Sequence, residues 1–285
     1  MQKIWVCGAR GQIGQAVNDV VDKLEFEMLD TDVDDLDVTD TDEVLRFGEM
    51  NRPDIIINCS GMTDISSCEE NPSQAFKVNA LGARNLAIVA AKMQAKMVQL
   101  STDDVFDGKS TEPYTEFDIT NPGTVYGKSK LAGENYVKEF TTKHFIVRST
   151  WVYGKGQNFI NGFLKKVDAG EQLSIASDQF GSPTSANELA RFLLHLVHTS
   201  EYGTYHATNK GVCSRYAFAQ EILKMTGKTA SMQPVPTVMS DFSKVRPAYA
   251  VLDNFIMSMV PIYDFPDWQG SLREYLEERG LYHAE

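Results

Sequence analysis

Short apolar segments alternate with longer helical patterns through the first half of the chain. Because these segments are apolar at nearly every residue, rather than at every second one, they are typical of strands buried on both faces. Strands of this kind, separated by helices, predict an α/β fold with a doubly wound parallel sheet. The predicted strands are residues 3–7, 25–29, 54–59, 97–101 and 144–148, and the predicted helices include residues 14–23, 72–92 and 126–140.

Length and charge exclude several classes of protein. The chain has 285 residues, of which 42% are hydrophobic and 23% charged, the balance of a soluble globular protein with about two domains. Lysine and arginine number 27 against 39 aspartates and glutamates. The resulting net charge of −12 disfavours nucleic acid and anionic lipid as partners. No apolar stretch approaches the roughly 20 residues that a membrane span requires, so no membrane partner is predicted.

The N-terminus and the cysteines predict a cytoplasmic protein. Met1 leads into the first apolar segment without the pattern of a signal peptide. The four cysteines are scattered, with no C-x-x-C pair and no histidine at ligand spacing. We therefore expect free thiols in a reducing environment, and we predict no metal site.

A glycine-rich turn follows the first predicted strand and opens the first predicted helix. Gly8, Gly11 and Gly14 form a G-x-x-G-x-x-G run. Glycine permits the tight turn and lets the backbone approach a pyrophosphate, and the helix N-terminus supplies N–H donors to that anion. This context predicts a dinucleotide site, although the same glycines also fit a tight turn that binds no ligand.

Two residues near this turn point to different dinucleotides. Asp30 follows the second predicted strand, 22 residues after Gly8, where a carboxylate can accept hydrogen bonds from the adenine-ribose hydroxyls of NAD. Arg10 lies within the turn, where a guanidinium can pair with the 2′-phosphate of NADP. The residues therefore leave the choice between NADPH and NADH open.

Three further residues suggest proton-transfer chemistry. Tyr126 and Lys130 are four residues apart at the start of a predicted helix, so they share one helix face. An ammonium near a phenol favours the phenolate and allows proton exchange with a substrate oxygen. Thr102 follows a predicted strand, and its hydroxyl is predicted to face the crevice at the carboxyl ends of the strands. Taken singly, each feature also fits an ordinary helix face or strand end.

Together these residues resemble the extended short-chain dehydrogenase/reductase superfamily and, within it, the dTDP-4-dehydrorhamnose reductase family. The similarity is carried by segments that follow the family's order over nearly the whole chain. They are residues 8–14, 36–39, 101–108 (STDDVFDG), 121–134 (NPGTVYGKSKLAGE), 148–159 (RSTWVYGKGQNF), 177–184 (SDQFGSPT) and 246–254 (RPAYAVLDN). The resemblance implies a Rossmann-type fold and NAD(P)H-dependent reduction of the C4 ketone of a nucleotide-activated 6-deoxy sugar, with dTDP-4-dehydro-L-rhamnose as the expected substrate.

The resemblance also implies a role for particular residues. Tyr126 would protonate the C4 alkoxide, Lys130 would hold the nicotinamide ribose, and Thr102 would orient the carbonyl. The residues implied around NADPH or NADH are Gly8, Arg10, Gly11, Gln12, Ile13, Gly14, Asp30, Asp37, Val38, Cys59, Ser60, Gly61, Ser101, Tyr126 and Lys130. Those implied around the substrate are Ile65, Thr102, Asp103, Asp104, Val105, Phe106, Trp151 and Arg246.

Three positions depart from the family's pattern and keep alternatives open. Asp104 stands where the family usually has tyrosine, and Met62 and Ser66 also differ, so the keto sugar itself stays open. Asp103 and Asp104 resemble the acid pair of nucleotide-sugar 4,6-dehydratases, which leaves a dehydratase or epimerase as one alternative. A non-catalytic regulatory subunit that binds a dinucleotide is another, because a fold and a cofactor site do not establish chemistry.

The chain is expected to have two parts, one that binds the dinucleotide and one that binds the substrate. Residues 1–148, joined by segments near 183–207 and 250–258, are predicted to form the dinucleotide-binding domain. The smaller part, about 149–182, 208–249 and 259–285, is predicted to bind the substrate, with both ligands in the cleft between the two. The oligomeric state stays open, a homodimer included.

Overall fold

The computed structural model describes residues 1–239 and 247–283, and within them six parallel strands form the largest sheet. The six strands are β1 (Gln2–Cys7), β2 (Phe26–Thr31), β3 (Ile55–Asn58), β4 (Lys96–Thr102), β5 (His144–Ser149) and β10 (Gly203–His206). Their order across the sheet is β10-β5-β4-β3-β1-β2, which confirms the predicted doubly wound α/β fold. The five predicted strands are present, with ends shifted by one or two residues.

Helices cover both faces of this sheet. In β1, Ile4 and Val6 pack with Leu189 on one face, whereas Trp5 and Cys7 pack on the other. Both sets are buried, which is why the strand is apolar throughout. Among the described residues, no helix combines the length and the apolar character needed to cross a membrane. The covering helices are α1 (Gln12–Val20) and α8 (Ala186–His198) on the first face, and α2 (Thr41–Asn51), α5 (Ala83–Met93) and α6 (Val125–Phe140) on the second.

The helix predicted over residues 72–92 is present, and it contains a π-helical turn. After α3 (Ile65–Glu70) the chain forms α4 (Pro72–Phe76) and a π-helical turn, Lys77–Gly82, before α5 begins. In this turn, the Asn79 amide donates to the Met62 carbonyl and to Ser129 Oγ, both at 2.9 Å, and accepts the Met62 N–H at 2.8 Å. The chain is therefore helical without a break from Pro72 to Met93, and these contacts with distant residues stabilise the wider turn within the helix.

The C-terminal part has a core of its own. Phe163, Ile175, Phe218 and Leu272 pack together there and are almost completely buried. Small sheets pair β6 (Val152–Tyr153) with β9 (Thr184–Ser185), β7 (Leu173–Ala176) with β12 (Met232–Val235), and β8 (Phe180–Gly181) with both β11 (Cys213–Ser214) and β13 (Tyr249–Ala250). The helices of this region are α7 (Phe159–Asp168), α9 (Arg215–Thr226), α10 (Phe255–Met259) and α11 (Trp268–Glu278).

Candidate active site

A cleft of about 620 Å³ opens at the carboxyl ends of β1, β3, β4 and β5, the edge where open α/β sheets bind ligands. Its opposite wall belongs to the C-terminal part and includes Phe159, Arg215 and Phe218. The cleft brings together residues that are far apart in the sequence. The predicted site residues that line it are Gly11, Gln12, Ile13, Cys59, Ser60, Gly61, Ser101, Thr102, Asp103, Tyr126, Lys130 and Trp151.

The glycine turn at the end of β1 is shaped for close approach of another backbone and of an anion. Gly8 has φ +76°, and a Cβ there would lie 2.7 Å from the Ser60 nitrogen. A Cβ on Gly14 would lie 2.3 Å from the Gly8 carbonyl oxygen. Gly11 precedes α1, and no side chain caps the helix there. The turn thus presents the N-terminus of α1 to the cleft, an arrangement that fits the pyrophosphate of a dinucleotide.

The carboxylate that accepts a backbone N–H of this turn is that of Asp32, a residue that the sequence analysis did not select. The predicted acid, Asp30, lies within β2 opposite Val6 and is exposed. Because β2 continues to Thr31, Asp32 is the first residue after the strand, and its Oδ2 accepts the Arg10 N–H at 2.9 Å. A prediction that placed the end of the strand two residues later would have selected Asp32.

The predicted catalytic residues meet where α6 packs against the end of β4. Thr102 is the last residue of β4, and Tyr126 and Lys130 lie on the first two turns of α6. All three are more than nine-tenths buried and line the cleft. Gly127 makes this packing possible, since a Cβ there would lie 2.0 Å from the Asp104 carbonyl oxygen. The glycine beside Tyr126 therefore lets the start of α6 approach the residue that follows β4 closely.

The pKa of Lys130 is set by its burial and by two neighbouring groups. Burial lowers the pKa of Lys130 to about 8, whereas Glu134, one turn along α6, and Cys59 raise it. Glu134 is fully buried and accepts bidentate hydrogen bonds from Arg148 at 2.9 and 2.7 Å and one from Ser101 Oγ at 2.5 Å. Burial raises the pKa of the Cys59 thiol to about 12, so this cysteine is a neutral thiol at physiological pH.

Trp151 lies in the wall of the cleft beside Arg215, a residue that the sequence analysis did not select. The Arg215 Cζ lies 3.4 Å from the centroid of a Trp151 ring and 4.8 Å from that of Phe159. Trp151 has φ +46°, an uncommon value for a bulky residue and one that is concentrated at functional sites. Gly181 lies against the indole, where a Cβ would be 2.6 Å from Cε2. No local sequence signal connects Arg215 to Trp151.

The remaining predicted residues lie outside the cleft wall or outside the described residues. Arg10 is exposed and contacts the acidic loop after β2. Arg246 lies outside the described residues. Asp37 is exposed, Val38 packs against Gly82, Ile65 packs behind Tyr126, and Asp104, Val105 and Phe106 are buried behind the end of β4.

A glycine turn on a doubly wound sheet, with threonine, tyrosine and lysine in one cleft, defines an oxidoreductase of the extended short-chain dehydrogenase/reductase type. The family model described as "RmlD substrate binding domain" matches residues 1–280. The chain belongs to the dTDP-4-dehydrorhamnose reductase family and is an NAD(P)H-dependent oxidoreductase.

Solved structures and a curated relative resemble the chain over almost its full length. A dTDP-4-dehydrorhamnose reductase from Clostridium acetobutylicum is 40% identical, with a TM-score of 0.95 over 98% of this chain and 100% of that one. The Bacillus anthracis enzyme of the same name, solved in complex with NADP, is 35% identical, with a TM-score of 0.94 over 98% and 99% of the two chains. Spore coat polysaccharide biosynthesis protein SpsK of Bacillus subtilis is 35% identical over 98% of each chain.

Proposed function

We propose that this chain reduces the C4 ketone of dTDP-4-dehydro-L-rhamnose to the hydroxyl of dTDP-L-rhamnose. The observation that carries the proposal is that Thr102, Tyr126 and Lys130 line one cleft with the glycine turn and Trp151. The names of the C. acetobutylicum and B. anthracis relatives support the same substrate.

Three side chains would carry the proton and orient the ketone. Reduced nicotinamide, when bound, supplies the hydride to the C4 carbon. The Tyr126 hydroxyl gives its proton to the C4 oxygen, which takes up the electron pair of the carbonyl π bond. The Thr102 hydroxyl, which donates to Asp103 Oδ1 at 3.1 Å, turns to donate to the same oxygen. The Lys130 ammonium holds the nicotinamide ribose and favours loss of the tyrosine proton.

The two walls of the cleft would divide the ligands between them. The glycine turn and the ends of β3 and β4 would hold the dinucleotide. Trp151 would provide an apolar surface for the deoxy-sugar methyl group, and Arg215 would donate hydrogen bonds to the anionic diphosphate. In an acidic protein, this guanidinium gives the substrate wall a local positive charge.

Dehydratase chemistry has less support from the geometry. That reading needs the second acid of the Asp103–Asp104 pair to reach the sugar. Asp103 lines the cleft, but Asp104 is fully buried and does not. Its N–H donates to Thr102 Oγ1 at 3.2 Å, so Asp104 contributes to the turn that positions Thr102.

The test is consumption of reduced cofactor with dTDP-4-dehydro-L-rhamnose, comparing the unmodified protein with Tyr126→Phe. We expect turnover in the unmodified protein and a 10²–10⁴-fold lower kcat in the variant, the usual contribution of a positioned proton donor. Cofactor affinity, measured by fluorescence titration, should change by less than about twofold, because the phenyl ring of the variant still packs in place.

The outcomes separate the alternatives. Stoichiometric cofactor oxidation identifies a reductase, whereas product formation without net oxidation identifies a dehydratase or epimerase. Tight dinucleotide binding without turnover of this or other keto-sugar nucleotides would support a regulatory subunit. Full activity in Tyr126→Phe would refute the proton-donor role.

A further inference from the structure

The guanidinium of Arg10, beside the glycine turn, is held by two carboxylates of the loop that follows β2. Arg10 Nη1 lies 2.7 Å from Asp34 and Nη2 lies 2.6 Å from Asp35. Both carboxylates raise the pKa of Arg10. The two ends of the guanidinium are thus directed at the protein's own acidic loop.

Asp32 connects this loop to the turn itself. Its Oδ2 accepts the backbone N–H of Arg10 at 2.9 Å, and its Oδ1 accepts the backbone N–H of Val33 at 2.9 Å. The Asp32 N–H in turn donates to Asp35 Oδ2 at 3.1 Å. Three carboxylates and one guanidinium are therefore linked within the loop and carry a net charge of −2 at neutral pH.

NADH and NADPH differ at the adenine ribose, the part of the cofactor that reaches the end of β2 in this kind of fold. A ribose hydroxyl can donate to a carboxylate, and Asp32 retains lone pairs for such a bond. A 2′-phosphate adds about −1.5 to −2 charges and only hydrogen-bond acceptors at neutral pH. It would meet like charge here, and Arg10 would have to leave Asp34 and Asp35 to pair with it.

We propose that this chain binds NADH more tightly than NADPH. Asp32 accepts a hydrogen bond from the adenine ribose, and the ion pairs with Asp34 and Asp35 keep Arg10 from pairing with a 2′-phosphate. The inference rests on the proposed binding of the dinucleotide at the glycine turn. Because these charges are exposed and screened by solvent, the preference is moderate, and we expect about a tenfold difference in Kd. The B. anthracis relative was solved with NADP, so the preference is a property of this loop rather than of the family fold.

The experiment is a titration of the protein with NADH and NADPH, without substrate, followed by nicotinamide fluorescence. Asp34→Asn with Asp35→Asn releases Arg10, and NADPH affinity should rise at least fivefold while NADH affinity stays within twofold. Arg10→Gln should change NADPH affinity by less than twofold in the unmodified protein but should abolish the gain in the double variant. Asp42→Asn with Glu43→Gln removes the same charge from the exposed start of α2 and should change the preference by less than twofold.

Each result bears on the proposal. Equal or tighter binding of NADPH by the unmodified protein would overturn it, as would a fivefold loss of NADPH affinity in Arg10→Gln, since Arg10 would then already bind the phosphate.

If a variant does not fold, a salt titration of the unmodified protein still provides a test. The Kd for NADPH divided by the Kd for NADH should fall as salt is raised, because salt screens exposed charges. A constant ratio would refute an electrostatic origin. Failure to bind either dinucleotide would overturn the proposed function as well, whereas a reversed preference would overturn this inference alone.

Discussion

The Arg215 guanidinium packs over the Trp151 indole, with its Cζ 3.4 Å from a ring centroid. The two residues come from separate segments of the C-terminal part, and both line the cleft. Stacking on an aromatic face restricts a guanidinium while leaving the N–H groups in its plane able to donate. This pair therefore supplies an apolar surface and directed donors on the same wall.

Replacement of Arg215 should weaken binding of the nucleotide sugar selectively. A charge-assisted hydrogen bond contributes about 1.5–3 kcal/mol, so Arg215→Met should raise the KM for the dTDP sugar by about tenfold or more. Cofactor Kd should stay within about twofold, because the proposed cofactor wall is unchanged. Arg215→Lys keeps the charge without the flat stacking and should show an intermediate KM. An unchanged KM in Arg215→Met would remove this residue from substrate binding.

The pKa of Lys130 predicts an alkaline limit to activity. This pKa is lowered to about 8 by burial, so the ammonium loses its proton as pH rises through that value. We expect kcat/KM to fall above pH 8. Lys130→Arg should be slower at neutral pH but should lack this limb, since arginine stays protonated. The measurement is the pH–rate profile of both proteins, and the same limb in both would assign it to another group.

As pH rises, the lowered pKa of Lys130 should reduce activity but increase the contribution of Lys130 to stability. The pKa of Lys130 is about 8 in the folded protein against an ordinary 10.5, so between these values the unfolded chain binds more protons than the folded one. The contribution of Lys130 to the free energy of unfolding therefore rises with pH over this window. Urea unfolding at pH 7.5 and 10 should show the advantage of Lys130→Met over the unmodified protein shrinking as pH rises. An advantage that stays constant would contradict the shift.

The Glu134–Arg148 pair should matter for stability far more than its exposed neighbour. Glu134 is fully buried and Arg148 is 3% exposed, and removal of one partner from such a pair costs about 3–5 kcal/mol. Glu134→Gln should therefore lower the free energy of unfolding by that order, and Glu134→Leu with Arg148→Met should recover much of the loss. Lys138, whose Nζ lies 3.7 Å from Glu134 and whose side chain is 41% exposed, is the control. Lys138→Ala should cost no more than about 1 kcal/mol.

Gly127 should be sensitive to a single added methyl group. A Cβ there would lie 2.0 Å from the Asp104 carbonyl oxygen, so Gly127→Ala should shift the start of α6, lower kcat through Tyr126 and cost about 1–3 kcal/mol of stability. Gly123→Ala is matched, because a Cβ at Gly123 meets no atom within 4 Å. It should change stability by no more than about 0.5 kcal/mol. Equal effects of the two substitutions would show that this close approach does not position Tyr126.

The sequence by itself determined the features that depend on local periodicity and on residue type. Apolar strands, helices and glycine spacing predict the doubly wound sheet. The sequence pattern also singles out Thr102, Tyr126 and Lys130, and the family resemblance adds a role for each. Such patterns repeat over a few residues, so they can be read without knowing which distant segments meet. The end of β2, however, lies two residues later than the sequence predicts, so Asp32 rather than Asp30 is the first residue after the strand and accepts the Arg10 backbone N–H.

Only the tertiary structure decided contacts between segments far apart in the chain. The stacking of Arg215 on Trp151, the linking of Met62 to Ser129 by Asn79, and the burial of Asp104 behind the cleft all depend on how the elements pack. A side chain carries no sequence signal for a partner that lies tens of residues away, because the free energy of that contact arises only when the surrounding core has formed. The acidic loop after β2 is a further example. Its composition is visible in the sequence, but the ion pairs of Asp34 and Asp35 with Arg10 can be seen only in the tertiary structure.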